Sequence, residues 1–354
     1  MSDTAPAGIP QASDEDMLNG ITPSNLIPAS SAAAYVAPSA RGIVSRWLRL
    51  ARPRLLLLSL APTTAILALL WANGERLLVA PAVVSILAVA LAQSGANLLD
   101  EYLEYERSRR TGAAHEMGRD EAGALLDEVG VVPLNALRAG IGLLIAGALV
   151  GIPLVVSGGV GVALLGLAGL GVAFLYSSTS YALKRLPGGE VVVFLALGPG
   201  IAVAVALAQH AHVSGPVLLI GCALGLLTLA LMQATQVRGM DRHERMGRRV
   251  LVRYIGVRGC RAVYGLSMAG AFVLVALLAL PKGAPHGGLA VLLAVPAALV
   301  ALTGMLRARN TAARSLLPRQ TFRVYALFAL WLIIGLLASG IVTRIVAFVS
   351  QSGA

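Results

Sequence analysis

Long apolar runs separated by polar connections set the pattern of this chain. Nine such runs recur, at about 55–73, 78–98, 138–157, 159–177, 190–208, 216–234, 262–281, 287–306 and 324–343. Each is close to the twenty or so residues a helix needs to cross about 30 Å of hydrocarbon. The pattern predicts an all-α polytopic membrane protein with nine transmembrane helices. Connections on one side are short: ANGER (72–76), SGG (157–159), QHAHVSG (209–215) and PKGAPHGG (281–288). None of these offers a substrate domain. The two longest segments between runs, 99–137 and 235–261, lie on the other side, and each begins with polar residues still on the preceding helix.

Composition agrees with this reading. Of the 354 residues, 57% are hydrophobic and 13% are charged, whereas soluble domains carry about 25% charged residues. The net charge of +11 raises the question of nucleic acid. With the N-terminus inside, 25 of the 28 Lys and Arg residues fall on the inner side, leaving Arg76, Lys282 and Arg344 outside. The positive-inside rule accounts for that bias with no nucleic-acid partner. It predicts an inner-membrane protein with a cytoplasmic N-terminus and an external C-terminus.

Residues 1–40 hold no Lys or Arg and are rich in Ala, Ser, Pro and acidic side chains. They lack the basic start and apolar core of a signal peptide, so a disordered cytoplasmic tail is expected. Residues 41–349 are expected to form one transmembrane domain. It would open with RGIVSRWLRLARPR (41–54), a basic helix lying in the interface. Cys222 and Cys260 fall in or beside apolar runs and read as small packing residues.

Charge of the other sign is concentrated. Nine of the 17 acidic residues lie between Asp100 and Glu128. In NLLDEYLEYE (97–106), Asn97, Asp100, Glu101 and Glu104 have i, i+3 and i+4 spacings and share one broad helical face. Like charges stacked this way repel unless a cation joins them. In MQATQVRGMDRHERMGRR (232–249), Gln233 and Gln236 lie one turn apart near Arg238, followed by Asp241, His243 and Glu244. The alternative reading of these stretches is a solvated juxtamembrane helix and a basic stop-transfer loop. Carboxylates beside arginines at two inner helix ends fit Mg²⁺, which takes oxygen ligands and is commonly shared between carboxylates and a phosphate group. Arg and Lys would neutralise the remaining phosphate oxygens. The expected ligand is a diphosphate with an apolar tail lying between membrane helices.

These residues resemble the UbiA superfamily of intramembrane prenyltransferases, in particular the branch that prenylates dihydroxynaphthoate for menaquinone. The resemblance covers most of residues 50–260. RPRLLLLSLAPTTAILALLWA (52–72) is similar to that branch's first helix, and ANLLDEYLEY (96–105) to its aspartate-rich segment. LLDEVGVVPLNALRAG (125–140) looks like the link into the third helix, and YSSTSYALKRLPGGEVVVFLALGP (176–199) like an inner loop and the fifth helix. QATQVRGMDRHERMGRRVLVRYIG (233–256) stands where a second aspartate-rich segment belongs.

The resemblance implies nine helices around a central lipid-facing cavity, with Mg²⁺ holding the diphosphate of a polyprenyl donor. It implies transfer of the prenyl group to an aromatic acceptor by carbon–carbon bond formation. Carried over by residue, Asn97 begins the first motif, Glu101 and Glu104 take its two Asp positions, and Asp100 stands at the adjacent Asn position. Lys184 and Arg185 match the basic pair of the inner loop, with Tyr181 just before them, and Arg238 opens the second motif. There the chain departs from the family, with Gly239 and His243 in the two Asp positions. Asp241 and Glu244 are the shifted candidates for metal ligands. Two other outcomes stay open: a membrane terpene cyclase, in which the donor's own double bonds trap the allylic cation, and a non-catalytic lipid-diphosphate binder.

Overall fold

A computed structural model describes residues 40–110, 124–177, 183, 188–241, 250–280 and 285–352. The chain falls into two compact units, Met1–Ser45 and Arg46–Ala354. Of the first unit only residues 40–45 are described, as the opening of helix α1 (Ala40–Ala51). Among the described residues every regular element is helical and there is no strand. After α1 come α2 (Pro53–Ala72), α3 (Val79–Arg110), the short α4 (Ala124–Val129) and α5 (Pro133–Ser177). They are followed by α6 (Gly189–Ala208), α7 (Gly215–Arg238), α8 (Leu251–Leu278), α9 (His286–Arg307) and α10 (Thr311–Ser352).

Eight of the described helices, α2, α3 and α5–α10, are long and apolar enough to cross a membrane, against the nine runs expected. The difference lies in α5, which contains both the 138–157 and the 159–177 runs. Its 45 residues would extend about 68 Å if straight, more than twice the hydrocarbon thickness. At Gly159 the backbone leaves the helical region (φ 77°, ψ −166°), a conformation that a residue without Cβ adopts at little cost. Gly140, before the break, packs against Leu98 and Leu99 of α3, and Gly158 packs against Leu207 and Ala208 of α6. Tyr176, after it, lies within electrostatic reach of Asp100 and Glu104. The helix therefore folds back on itself, and both its ends stand at the end of the bundle that carries Asp100.

Helices α2 and α7 form the middle of the fold, with two thirds of the residues in their most apolar stretch buried, against about a tenth for α3. Ile66 and Leu69 of α2, Leu224 of α7 and Phe328 and Leu332 of α10 share one core. The Tyr325 hydroxyl of α10 donates to the Leu58 carbonyl (3.2 Å), satisfying its polar end inside that core. Away from the core, small residues let backbones approach, the usual means of helix association where apolar burial alone gives little drive. A β-carbon on Gly95 of α3 would stand 2.7 Å from the Gly140 carbonyl oxygen, so only hydrogen fits there. In α6, Pro199 lacks a backbone N–H, and the chain widens into a π turn over Ala196–Gly200. At the end remote from Asp100, the Arg344 guanidinium lies 3.4 Å from the Trp71 ring centroid and donates to the Trp71 carbonyl (2.9 Å).

Candidate functional site

The buried face of α3 toward its C-terminus consists of Asn97, Glu101, Glu104 and Ser108, with Leu98 and Leu99 beside them. The sequence spacing therefore places the acidic residues against the protein, not in solvent. Glu101 has no exposed surface and Glu104 is also buried. A lone carboxylate in such a position would be strongly disfavoured, so each needs a positive partner or donors.

One partner comes from the break between α1 and α2. Pro53 disfavours the right-handed helical region for the residue before it, and Arg52 takes a left-handed conformation (φ 51°, ψ 65°). Its guanidinium donates to Glu101 and stands 3.7 Å from the Asp100 carboxylate. The Asn97 amide donates to the Ala51 carbonyl (2.7 Å) while its oxygen accepts from Gln93 (3.1 Å). One helix face thus grips two consecutive residues of the break, Asn97 by the backbone and Glu101 by the side chain. Leu50 of α1 packs with Leu98, Leu126, Val129 and Ala136 beneath it. Glu104 lies 3.3 Å from Arg107 on the same helix. Tyr176, at the end of α5, is within electrostatic reach of Asp100, Glu104, Arg52 and also Glu190.

The second polar segment is built differently from the first. Gln236 of α7 donates its amide to Glu190, the second residue of α6, and accepts from the Val252 backbone N–H of α8 (3.1 Å). Glu190 also accepts from the Gly188 N–H (3.1 Å). A carboxylate at a helix start commonly takes such a local role, and here it adds a link across three helices. One turn earlier, Gln233 has no exposed surface, and neither its amide nitrogen nor its oxygen has a hydrogen-bond partner among the described residues. Arg238 ends α7 and is half-buried.

Asp241, expected near the first acidic group, is exposed and bonds Arg314 of α10 at 3.0 Å through both carboxylate oxygens. The chain has already left α7 at Gly239, so Asp241 no longer follows the face that carries Gln236. Tyr181, Lys184, Arg185, His243 and Glu244 lie outside the described residues. The sequence did not single out Arg52 as a partner of the acidic face. The only signal was a proline directly after an arginine at the end of a basic helix.

The donor set of α3 suits a hard divalent cation, because Asn97, Asp100, Glu101 and Glu104 all offer oxygen. The Arg52 guanidinium already lies against two of those carboxylates, so the face accepts positive charge as it stands. Among the described residues no three His, Cys, Asp or Glu side chains converge on one point. Holding an ion would require the carboxylates of this face to turn toward each other.

Known proteins bear on this arrangement. The chain is 24% identical over 293 residues to 1,4-dihydroxy-2-naphthoate octaprenyltransferase of Bacillus subtilis (strain 168), covering 82% of this chain and 92% of that one. Its fold is similar to that of a UbiA homologue from Archaeoglobus fulgidus solved with DMAPP and Mg²⁺. The TM-score is 0.58 at 17% identity, over 83% of this chain and 99% of the other. That homologue has also been solved with GPP and Mg²⁺ and with Cd²⁺. A UbiA homologue from Aeropyrum pernix K1, in its apo form, matches with a TM-score of 0.52 at 16% identity, over 81% and 98%. Residues 59–323, well over half of the chain, match the UbiA prenyltransferase family, and this integral membrane protein belongs to that family.

Proposed function

We propose that the chain transfers a polyprenyl group from its diphosphate to an aromatic acceptor, a dihydroxynaphthoate of menaquinone synthesis, with Mg²⁺ as cofactor. The buried acidic face of α3 is the observation that carries this reading. Four oxygen-bearing side chains, three of them buried, stand toward a helix end with an arginine against them. The likeness to the Bacillus subtilis octaprenyltransferase supports the acceptor class, and the archaeal homologue solved with Mg²⁺ and prenyl diphosphates supports the cofactor and donor.

In this reading Asn97, Asp100, Glu101 and Glu104 hold the metal, which when bound neutralises charge on the departing diphosphate. Arg238, Lys184 and Arg185 pair with the remaining phosphate oxygens, and Tyr181 donates a hydrogen bond beside them. The apolar walls keep water from the allylic cation until the electron-rich aromatic carbon attacks it. Glu244, shifted from the family's Asp positions, is a candidate second-segment ligand. Asp241, paired with Arg314, is given no metal role. The acidic end of the bundle faces the cytoplasm of an inner-membrane enzyme, because the Lys and Arg residues gather in the connections on that side.

The test is transfer from a radiolabelled polyprenyl diphosphate to a panel of aromatic acceptors, with and without Mg²⁺. A prenylated dihydroxynaphthoate that forms only with the metal is the expected product. Cyclised hydrocarbon without acceptor would replace transfer with cyclisation, and donor binding without turnover on any acceptor would leave a non-catalytic binder.

A further inference from the structure

The Arg52 ion pair is unusual in three respects. It joins a guanidinium to a carboxylate with no exposed surface, on the face offered to a divalent cation. It is built on a left-handed backbone, which costs a β-carbon-bearing residue about 1–2 kcal/mol. It is also held from a second point, since Asn97 takes the carbonyl of the preceding residue. A simple staple between α1 and α3 would not need to set its cation among residues suited to binding a metal. Two cations cannot both make close contact with the same carboxylate oxygens without repelling each other. A metal entering at the oxygen that Arg52 now holds would therefore weaken this ion pair and favour release of the guanidinium. A freed guanidinium beside a diphosphate has a matching partner, because its planar fork pairs with phosphate oxygens in the same bidentate way as with a carboxylate.

We propose that Arg52 is the resident counter-ion of the acidic face, a cation that leaves Glu101 and Asp100 when the metal enters and re-pairs with the diphosphate the metal carries. This rests on the prenyl-diphosphate reading of the site. It makes Arg52 a binding residue with two positions. Before the ligand arrives it lies against the carboxylates of Glu101 and Asp100, and afterwards it offsets diphosphate charge. The side chain is suited to such an exchange. It retains partial exposure where Glu101 has none, and it starts from a break between helices, where a few dihedral changes can re-aim it.

The exchange predicts opposite effects on two affinities, which loss of packing would not produce. Full-length protein in detergent is titrated with Mn²⁺ alone, followed by the EPR signal of the free ion. It is then titrated with a prenyl thiolodiphosphate at saturating Mg²⁺. In Arg52→Gln the competitor is gone, and Mn²⁺ binding tightens by about tenfold while the thiolodiphosphate weakens by about tenfold, the scale of one charge-assisted contact. Arg52→Lys keeps the charge but not the fork, and falls between wild type and Arg52→Gln in both titrations. It carries the test if Arg52→Gln fails to fold. Mn²⁺ affinity that is unchanged or weaker in a folded Arg52 variant overturns the exchange alone and leaves prenyl transfer standing. Absence of Mn²⁺ binding in wild type and variants alike overturns the exchange together with the metal-dependent reading.

Discussion

Gln236 of α7 donates its side-chain amide to the buried carboxylate of Glu190 at the start of α6. The same side chain receives the backbone N–H of Val252 from α8, so one glutamine ties the starts of two helices to the end of a third. Removing one partner from such a buried pair leaves the other without its hydrogen bond, a loss of about 1.5–3 kcal/mol for bonds to a charged group. Glu190→Ala should therefore lower the melting temperature in detergent by several degrees. Gln236→Glu, which sets two carboxylates against each other, should lower it further. A melt unchanged in both variants would remove this junction from the stability of the fold.

Glu101 and Glu104 are proposed to hold the metal, and their amide variants keep size and shape while removing charge. Glu101→Gln and Glu104→Gln should each cut prenyl transfer by about 10²–10³-fold, the scale of losing one preorganised electrostatic contact to a developing charge. The measurement is initial rate with labelled donor across a Mg²⁺ series. Transfer within threefold of wild type would take that residue out of the mechanism.

The opposite result is expected for Asp241. Its bond to Arg314 is partly exposed, with 49% of the aspartate side chain open, and such pairs contribute about 0–1 kcal/mol. Asp241→Asn should leave both the melting temperature and the transfer rate close to wild type. A hundredfold loss of rate would return this residue to the metal site and require the 239–241 turn to rearrange on ligand binding.

Close packing of α3 on α5 gives a fourth expectation. A β-carbon on Gly95 meets backbone of the neighbouring helix, whereas one on Gly142 meets nothing within 4 Å. Gly95→Val should yield aggregated protein by fluorescence-detected size exclusion, and Gly142→Ala should run as wild type. The pair controls for the loss of glycine itself.

Much of this architecture could be read from the chain because a bilayer leaves few choices. A run of about twenty apolar residues must span as a helix, since no water is present to satisfy open backbone groups. Even the fold-back of α5 showed, as two runs parted at the glycine pair 158–159, where the helical backbone breaks. The acidic face also followed from spacing, because Asn97, Asp100, Glu101 and Glu104 belong to one helix with a fixed period. What could not be read was the pairing across helices. Arg52 meets Glu101 from 49 residues away, and Gln236 meets Glu190 from 46. Asp241 likewise meets Arg314 from 73 residues away, beyond the helix that carries Gln236 and ends at Arg238.

The uneven burial of the helices has a consequence for how a long-tailed substrate is handled. The acidic face hangs from α3, whose apolar stretch is for the most part only partly covered by protein, with Val79, Val83 and Leu87 exposed, while α2 and α7 are far better wrapped. A helix in that position is supported on its outer side by acyl chains. The geometry of its carboxylates is then set partly by the thickness and fluidity of the surrounding leaflet. Turnover measured in reconstituted bilayers should therefore vary with acyl-chain length even at fixed donor concentration, and the lipid would act as a structural component of the catalyst.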